Sequence, residues 1–325
     1  MSTALIDADI VAYRAASVSQ ENIDWKDGNK GSTISPQQAL ASAKFIVEDW
    51  KTRADCNKAI LCFTDQNNFR KEIFPSYKAN RKGEPPVLLG DTIEWLKENY
   101  ESYSVHRLEA DDLMSVFATS GHVKSHVITS IDKDLLTVPA VVFNPDKDLR
   151  PRRISVQQAD RFWMSQVLTG DSSDGYKGIP RVGPKKAEKI LAQAWGELED
   201  LWEVVVQAYL DAGLTEEDAI TQARLARILR SEDYNADKEE IRLWHPRKSY
   251  SILSITRNIT SKKEPLNPSI LSQTEDLISV KETSSNTSSD GKTRAVSKTS
   301  RKRSSTLRNS SRKRQVKTNT LMKLK

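Results

Sequence analysis

Carboxylates are the residues of this sequence whose types and spacing suggest chemistry. Three of them, Glu109, Asp111 and Asp112, stand together in the segment LEADDLM. The apolar residues after them have helical spacing, which places the acids in the first turn of a helix that runs to about Thr119. Like charges this close do not all ionise cheaply without a cation between them. Acids that complement a helix dipole are the alternative interpretation of this cluster alone.

More acids follow the ends of predicted strands, where side chains point into the cleft that α/β sheets use to bind ligands. An N-cap role is the alternative for Asp7, and Asp9 is interpreted as a first-turn acid. The set contains no histidine, so its hard oxygen ligands favour Mg²⁺ or Mn²⁺ over zinc. The number of acids suggests two ions roughly 3.5–4 Å apart that activate water for phosphodiester cleavage. The candidate metal ligands are Asp7, Asp65, Glu109, Asp111, Asp112, Asp132, Asp134, Asp171 and Asp174.

The predicted elements alternate, which indicates an α/β fold with a central, mainly parallel sheet flanked by helices. Strands are predicted at 4–6, 58–63, 103–106, 126–129 and 141–143, with a last strand in EEIRLW. Helices are predicted from Asp9, from Pro36 through Trp50, in DTIEWLKENY, in SVQQADRFWMSQVLTG, at 198–210 and at 215–229. Ser35 and Thr215 are predicted to cap two of these helices.

A basic and aromatic segment, FRKEIFPSYKANRKGEPP, follows the second strand. Its cations suit phosphates and its rings suit bases, so it is a candidate contact for nucleic acid. A solvated helix is the alternative. The candidate residues in this segment are Arg70, Lys71, Tyr77, Lys78, Arg81 and Lys82.

The segment GDSSDGYKGIPRVGPKKAEKIL predicts a tight turn before a helix. Glycines such as Gly178 and Gly183 allow backbone amides to approach a phosphate closely. The following helix start adds its dipole and the charges of Lys185 and Lys186. The pattern is typical of a hairpin that holds a duplex backbone without reading base sequence.

Charge divides the chain after Pro246. Residues 247–325 contain 19 Lys and Arg against 5 Asp and Glu, a net of +14, which leaves −8 for residues 1–246 because the whole chain is +6. The tail is rich in Ser and Thr and has no Trp or Phe, so we expect it to be disordered. A flexible DNA-binding arm and an unselected extension, such as a shifted reading frame, are both open interpretations of this tail.

Cys56 and Cys62 imply no disulfide framework and are expected to be buried thiols. Neither a secretory signal nor a run of about 18 apolar residues is visible. We therefore expect a soluble, cytoplasmic protein with no membrane partner.

Five segments together resemble the flap-endonuclease family of 5′ nucleases, which includes the 5′ nuclease domain of DNA polymerase I. The resemblance is nearest to the 5′→3′ exonucleases of short-tailed bacteriophages and spans residues 3–246. The segments are IDADIVAYRA, FTDQNNFRKEIFPSYKANRKG, LEADD, SIDKD and GDSSDGYKGIPRVGPKKA, in the family's order. ARILRSEDYN and EIRLW are similar to the end of the phage enzymes.

The resemblance implies a PIN-like nuclease fold with a helix–three-turn–helix subdomain. It divides the chain into a catalytic region at 1–150 with a short basic arch at about 66–90, a helical subdomain at 151–246 and the tail. All nine acids match the family's metal ligands, and Lys78 and Arg81 match its phosphate-steering bases. Tyr13 matches a ring that stacks on a base, with a core aromatic as the alternative. The implied cofactors are two Mg²⁺ ions, Mn²⁺ as a substitute, and K⁺ at the helix–three-turn–helix.

The implied activity is 5′→3′ hydrolysis from the ends of duplex DNA by a monomer, in phage replication, recombination or host DNA degradation. Flapped DNA and RNA–DNA hybrids are further implied partners. Only 44 positions separate Asp65 from Glu109. That spacing leaves little chain for a tall arch and favours stepwise removal of nucleotides over threading of long flaps. A structure-specific flap endonuclease and, from another class, a non-catalytic DNA-binding protein are the competing hypotheses.

Overall fold

A six-stranded sheet forms the centre of the molecule. The computed structural model describes residues 2–24, 30–81, 83–121 and 125–247. The strands of the sheet are β1 (Thr3–Asp7), β4 (Lys58–Phe63), β5 (Ser102–Ser104), β6 (His126–Thr129), β7 (Val141–Phe143) and β8 (Arg152–Arg153). They lie in the order β5-β4-β1-β6-β7-β8, and every neighbouring pair is parallel except β7 with β8. The prediction of a mainly parallel sheet is confirmed.

Helices cover both faces of this sheet, because its central strands are apolar on both sides. In β1, Ala4 and Ile6 pack in one cluster and Leu5 in another, as the alternation of side chains along a strand requires. The first cluster lies under α1 (Ala8–Val18), α2 (Pro36–Arg53) and α4 (Leu89–Asn99). The second lies under α5 (Ala110–Thr119). The sheet's carboxyl edge is left to carry polar side chains.

A short antiparallel hairpin and one short helix were absent from the predicted elements. The hairpin consists of β2 (Gln20–Asp24) and β3 (Lys30–Ile34). The helix is α3 (Phe69–Ile73), which begins the basic segment and has Asn68 as its N-cap. At the start of α2, Ser35 Oγ accepts a hydrogen bond from the Gln38 amide at 3.3 Å, and Pro36 follows it as predicted.

Four helices build a second core after β8. They are α6 (Val156–Thr169), α7 (Pro184–Leu191), α8 (Leu198–Asp211) and α9 (Glu216–Ala226). Trp163, Leu191, Leu201 and Tyr209 are fully or almost fully buried between them. The helices and the turn before α7 occur where the sequence predicts them, and the domain boundary near residue 150 stays a prediction.

The last helix is shorter than predicted, because it ends at Ala226 rather than near Leu229. Arg227 is extended, and the residues after it pack against α5. There the Leu229 amide donates a hydrogen bond to Asp112 at 2.9 Å, and Ile228 joins the core under α5. The Leu229 amide and the Ile228 side chain thus have partners distant in sequence, which replace those of a further helical turn. EEIRLW contributes the two-residue strand β10 (Glu240–Ile241), paired with β9 (Tyr234–Asn235).

Cys56 and Cys62 are buried and unpaired, as expected. Among the described residues, no helix is long and apolar enough to cross a membrane. The predicted disordered tail and Lys82 lie outside the described residues.

Candidate active site

Asp7 and Asp132 follow the neighbouring parallel strands β1 and β6, so their carboxylates meet at one edge of the sheet. Asp7 caps α1 by accepting a hydrogen bond from the Ile10 amide at 3.3 Å, and it accepts another from the Ser130 hydroxyl at 3.1 Å. Burial, together with the charges of Asp9 and Asp132, raises the pKa of Asp7 to about 7. The N-cap role and the acidic cluster are therefore both present.

Asp111 faces the same group from the first turn of α5. Its Oδ1 atom is buried and has no hydrogen-bond partner among the described residues. Burial and the nearby carboxylates of Asp7 and Asp132 raise the pKa of Asp111 well above its ordinary value. An unpartnered buried oxygen among other carboxylates is a poor arrangement for a bare protein and a good one around a cation. The donor set fits a hard divalent ion.

Two further acids continue this wall of the cleft. Asp134 accepts a hydrogen bond from the Gln166 amide at 2.6 Å, while burial and the charge of Asp132 raise its pKa to about 6. Asp171 lies 2.8 Å from the ammonium of Lys133. Although burial opposes it, this contact and hydrogen bonds from Ser173 lower the pKa of Asp171 to about 2.

Glu109 and Asp174 form the opposite wall, where the basic segment meets the acids. Lys78 is bound to Glu109 and lies 3.8 Å from Asp174, and Arg81 donates to Asp174 at 2.8 Å. The Tyr77 hydroxyl lies 3.1 Å from Glu109 and 2.8 Å from Asp174 and so links the two. Despite burial, the charges of nearby cations lower the pKa of Glu109 to about 2.

All of these acids except Asp7 line one cavity of about 80 Å³, which we call the active-site cavity. Among its lining residues are Lys78, Arg81, Glu109, Asp111, Asp132, Lys133, Asp134, Asp171 and Asp174. In the described residues, no three acidic, histidine or cysteine side chains are close enough to form a complete metal site. Several of the carboxylates form separate ion pairs with lysine or arginine side chains. The acids therefore lie in one cavity, but their oxygens do not converge on a single position.

Arg70 is buried and bound to protein groups, so it does not have the exposed position that the sequence analysis expects of a DNA contact. The side chain is 2% exposed, and all five of its N–H donors have protein acceptors. Nη1 and Nη2 bind the two oxygens of Asp112 at 2.7 Å each, and Nη1 also binds Glu109 at 3.0 Å. The remaining donors reach the carbonyls of Leu225 at 3.1 Å and Arg227 at 2.6 Å.

Asp112, unlike Arg70, does not line the cavity, and its contacts do not place it as a metal ligand. It is completely buried, and its oxygens also accept hydrogen bonds from the amides of Glu109 at 3.2 Å and Leu229 at 2.9 Å. Four contacts occupy both of its oxygens. Tyr77 is 3% exposed, so its ring is part of the core rather than a surface that could stack on a base.

Asp65 lies outside the cavity lining. Its carboxylate accepts hydrogen bonds from the amides of Asn67 at 3.2 Å and Arg107 at 3.0 Å, and lies 3.2 Å from His106 Nδ1. Although burial opposes it, the backbone hydrogen bonds lower the pKa of Asp65. In this arrangement Asp65 shapes the 106–107 turn that precedes α5.

The other candidate DNA contacts are exposed side chains. Tyr13 is 53% exposed on α1, so it is not the core aromatic that the alternative required. Lys71 lies on α3, and Lys185 and Lys186 lie on the first turn of α7, which begins after Gly183. Gly178 has a positive φ of 58°, and a Cβ there would meet the Gly170 amide at 2.4 Å. No larger residue fits at that point of the turn.

Asp9 lies in the first turn of α1, as the sequence analysis expects, and its charge also acts on the neighbouring Asp7. Its carboxylate accepts a hydrogen bond from the Thr64 amide at 2.9 Å, which ties α1 to the end of β4. Burial raises its pKa, and the charge of Glu109 acts in the same direction. The sequence signal for this place in the acidic group is that Asp9 stands two residues after Asp7, so that both acids lie near one strand end.

Comparisons with known proteins agree with this architecture. Residues 2–154 match the family described as 5′-3′ exonuclease, N-terminal resolvase-like domain. The chain is 30% identical over 279 residues to the exodeoxyribonuclease of Enterobacteria phage T3, covering 75% of this chain and 92% of that protein. It is 30% identical over 278 residues to the exonuclease of Escherichia phage T7, covering 74% and 93%. Flap endonuclease Xni of Aeromonas salmonicida is 29% identical over 246 residues, covering 64% and 90%.

The fold is also that of a solved phage protein. The T5 D15 protein co-crystallised with metal ions superposes with a TM-score of 0.53 at 16% identity, covering 70% of this chain and 90% of that one. The bacteriophage T5 D15 flap endonuclease in a complex with DNA and metal ions gives a TM-score of 0.51 at 16% identity, covering 70% and 89%. By sequence similarity across nearly the whole of its phage relatives, the chain belongs to the 5′-3′ exonuclease family of nucleases.

Proposed function

We propose that this protein is a divalent-metal-dependent 5′→3′ exodeoxyribonuclease that removes nucleotides from the 5′ ends of duplex DNA. One observation carries the proposal: acids from three separate parts of the chain line a single cavity whose rim holds Lys78 and Arg81. Acids suit cations and the basic rim suits a phosphodiester, so the cavity has complementary places for metal and DNA. The phage relatives named exodeoxyribonuclease and exonuclease support the same activity.

The metal ligands that we propose are the acids that line the cavity together with Asp7, whose carboxylate lies close to those of Asp111 and Asp132. Asp7 and Asp111 are the central members because of their raised pKa and the unpartnered Asp111 oxygen. We propose two Mg²⁺ ions, with Mn²⁺ as a substitute. When bound, such ions activate water and stabilise the charge that develops on the phosphate. Asp65 is proposed only as an outer member, since its carboxylate binds the 106–107 turn.

The cations of the basic segment position the substrate in this proposal. Lys78 and Arg81 bind the scissile phosphate, and their present partners Glu109 and Asp174 keep both side chains at the cavity rim. Tyr77 positions those two acids through hydrogen bonds from its hydroxyl group. Tyr13, exposed on α1, is proposed to stack on a base near the scissile phosphate.

The turn before α7 is proposed to hold the duplex away from the cavity. Its glycines allow a close backbone approach, and the exposed Lys185 and Lys186 meet phosphates at the helix start. A K⁺ ion held by backbone carbonyls of this turn belongs to the same proposal, as does a helical subdomain that begins near residue 151. We also propose that the protein acts as a monomer in phage DNA metabolism.

A structure-specific flap endonuclease is the second candidate, because a relative of this chain carries that name. The same acids and cations would serve both activities. The short segment between Asp65 and Glu109 favours the exonuclease, since it offers little chain to enclose a long single-stranded flap. A non-catalytic DNA-binding protein is disfavoured, because such a protein would gain nothing from a cleft of costly buried carboxylates.

An end-labelled duplex incubated with Mg²⁺ tests the proposal. Blunt, 5′-flapped and RNA–DNA hybrid duplexes are compared, and product sizes are followed over time. Stepwise loss of mononucleotides from blunt 5′ ends supports the exonuclease, whereas a single cut that needs a flap supports the second candidate. Asp132→Asn should abolish cleavage and keep DNA binding, and the exposed Asp237→Asn is the matched control. Cleavage at the wild-type rate by Asp132→Asn would contradict the metal-dependent mechanism.

A further inference from the structure

A cluster of exposed cations lies at the β8 edge of the sheet, apart from the basic segment and α7. We define the basic hairpin as residues 141–153, which comprise β7, β8 and the turn between them. It carries Lys147, Arg150, Arg152 and Arg153 against two acids. Both acids already have partners, since Asp146 pairs with Arg14, and Asp148 accepts the Asn144 amide at 2.9 Å and lies 3.7 Å from Arg152.

Most cations of the hairpin are therefore exposed and lack a strong ion pair. Among the described residues, Arg150 and Arg153 form no ion pair, and Arg152 is 51% exposed despite its contact with Asp148. The surrounding body, residues 1–246, has a net charge of −8. An acidic body repels a polyanion at long range, so a local excess of free cations determines where a polyanion can approach it.

Hydrogen bonds hold the turn in a defined position beside the catalytic edge. The Asn144 carbonyl accepts from the amides of Lys147 at 3.1 Å and Asp148 at 2.8 Å. The Asn144 side-chain amide donates to the Ile131 carbonyl at 3.0 Å, one residue before Asp132. A cation on this turn is thus presented at a fixed place relative to the cavity acids, which reduces the entropy lost when a ligand binds.

A second cavity of about 80 Å³ connects the basic hairpin to the site. Lys147 and Arg152 line it at the hairpin end. Asp132 and Lys133 line it at the other end, and these two residues also line the active-site cavity. The two cavities are therefore adjacent, with Asp132 and Lys133 between the active-site cavity and the hairpin.

We propose that the basic hairpin is a second DNA-binding surface, which holds the phosphodiester backbone of the substrate where the cavity ends at Asp132 and Lys133. This inference rests on the proposed nuclease function. Lys147, Arg150 and Arg152 each contact phosphate, and no base is read. The surface acts by charge, so its contribution to affinity is large at low salt and fades as salt rises.

The test compares DNA binding of two triple variants in Ca²⁺ without Mg²⁺, with a fluorescent blunt duplex as the probe over a salt series. The hairpin variant is Lys147→Gln/Arg150→Gln/Arg152→Gln. The matched control, Lys44→Gln/Lys238→Gln/Arg242→Gln, removes the same charge from exposed positions elsewhere. Losing three phosphate contacts should flatten the slope of log affinity against log salt by about 3 and weaken binding at least about tenfold at low salt.

The outcomes separate the inference from the function on which it rests. Both variants are first shown to be folded, by melting temperatures equal to that of the wild-type protein. Suppose that the wild-type protein binds and cleaves DNA. If the hairpin variant and the control then have equal affinities and equal slopes of log affinity against log salt, the hairpin surface alone is overturned. A wild-type protein that neither binds nor cleaves the duplex would instead overturn the proposed function.

Discussion

Replacing Arg70 with Met tests whether this cation belongs to the core or to the DNA-binding surface. The substitution keeps a long apolar side chain but removes five hydrogen bonds, among them both contacts to the completely buried Asp112. Breaking a buried ion pair from one side leaves the other charge without compensation, which costs about 3–5 kcal/mol. We therefore expect Arg70→Met to destabilise the protein by that amount.

The shift in melting temperature follows from the size of the body. In a domain of 150–250 residues, each kcal/mol lowers Tm by about 2–4 °C, so Arg70→Met should lower Tm by about 6–20 °C. Circular dichroism at rising temperature measures this, with Lys71→Met as the matched control, because Lys71 is the next residue and is exposed. The control should change Tm by less than about 2 °C.

If Arg70 were instead an exposed arginine that contacts DNA, its replacement would affect DNA binding and not stability. Arg70→Met would then leave Tm at the wild-type value and weaken duplex binding in Ca²⁺, as Lys71→Met would also do. That result would refute the buried network. The double variant Arg70→Met/Asp112→Leu provides a second check, because removing both charges together should cost less than the sum of the single changes.

Three further predictions concern catalysis, pH and the tail. Lys78→Ala and Arg81→Ala should each slow cleavage by 10- to 1,000-fold, on the order expected for a misplaced phosphate, and single-turnover rates near wild type would exclude that role. Burial raises the pKa of Asp7 in the metal-free fold from 3.8 to about 7, so Asp7 lowers the free energy of unfolding progressively as pH rises from about 4 to about 7. Because metal binding needs the ionised carboxylate, Mg²⁺ affinity should increase about tenfold from pH 6 to pH 8 through Asp7 alone. Calorimetric titration checks this, and a flat pH profile would contradict it. A chain ending at Arg247 should still fold and cleave at saturating DNA but bind more weakly at moderate salt, whereas unchanged binding across a salt series would exclude a DNA-binding arm.

Local sequence patterns were enough to predict the sheet and the acids at its carboxyl edge. Apolar runs that end in an acid predict both a buried strand and a polar side chain beyond it, because both properties are local. Asp7 and Asp132 were found in this way, and the structure places them side by side because β1 and β6 are parallel neighbours. The capped starts of α2 and α9 were equally local, since a cap involves residues three apart.

Only the tertiary structure decided which charged and aromatic residues are buried. Arg70 and Tyr77 have the composition of a DNA-binding segment, yet Arg70 binds the carbonyl of Leu225, 155 residues later, and Tyr77 packs among the helices after β8. Asp112 differs from Asp111 only by one position on α5, and the turn of the helix directs it to Leu229 instead of the cavity. A residue's burial depends on which distant segment packs against it, and neither composition nor spacing along the chain contains that information.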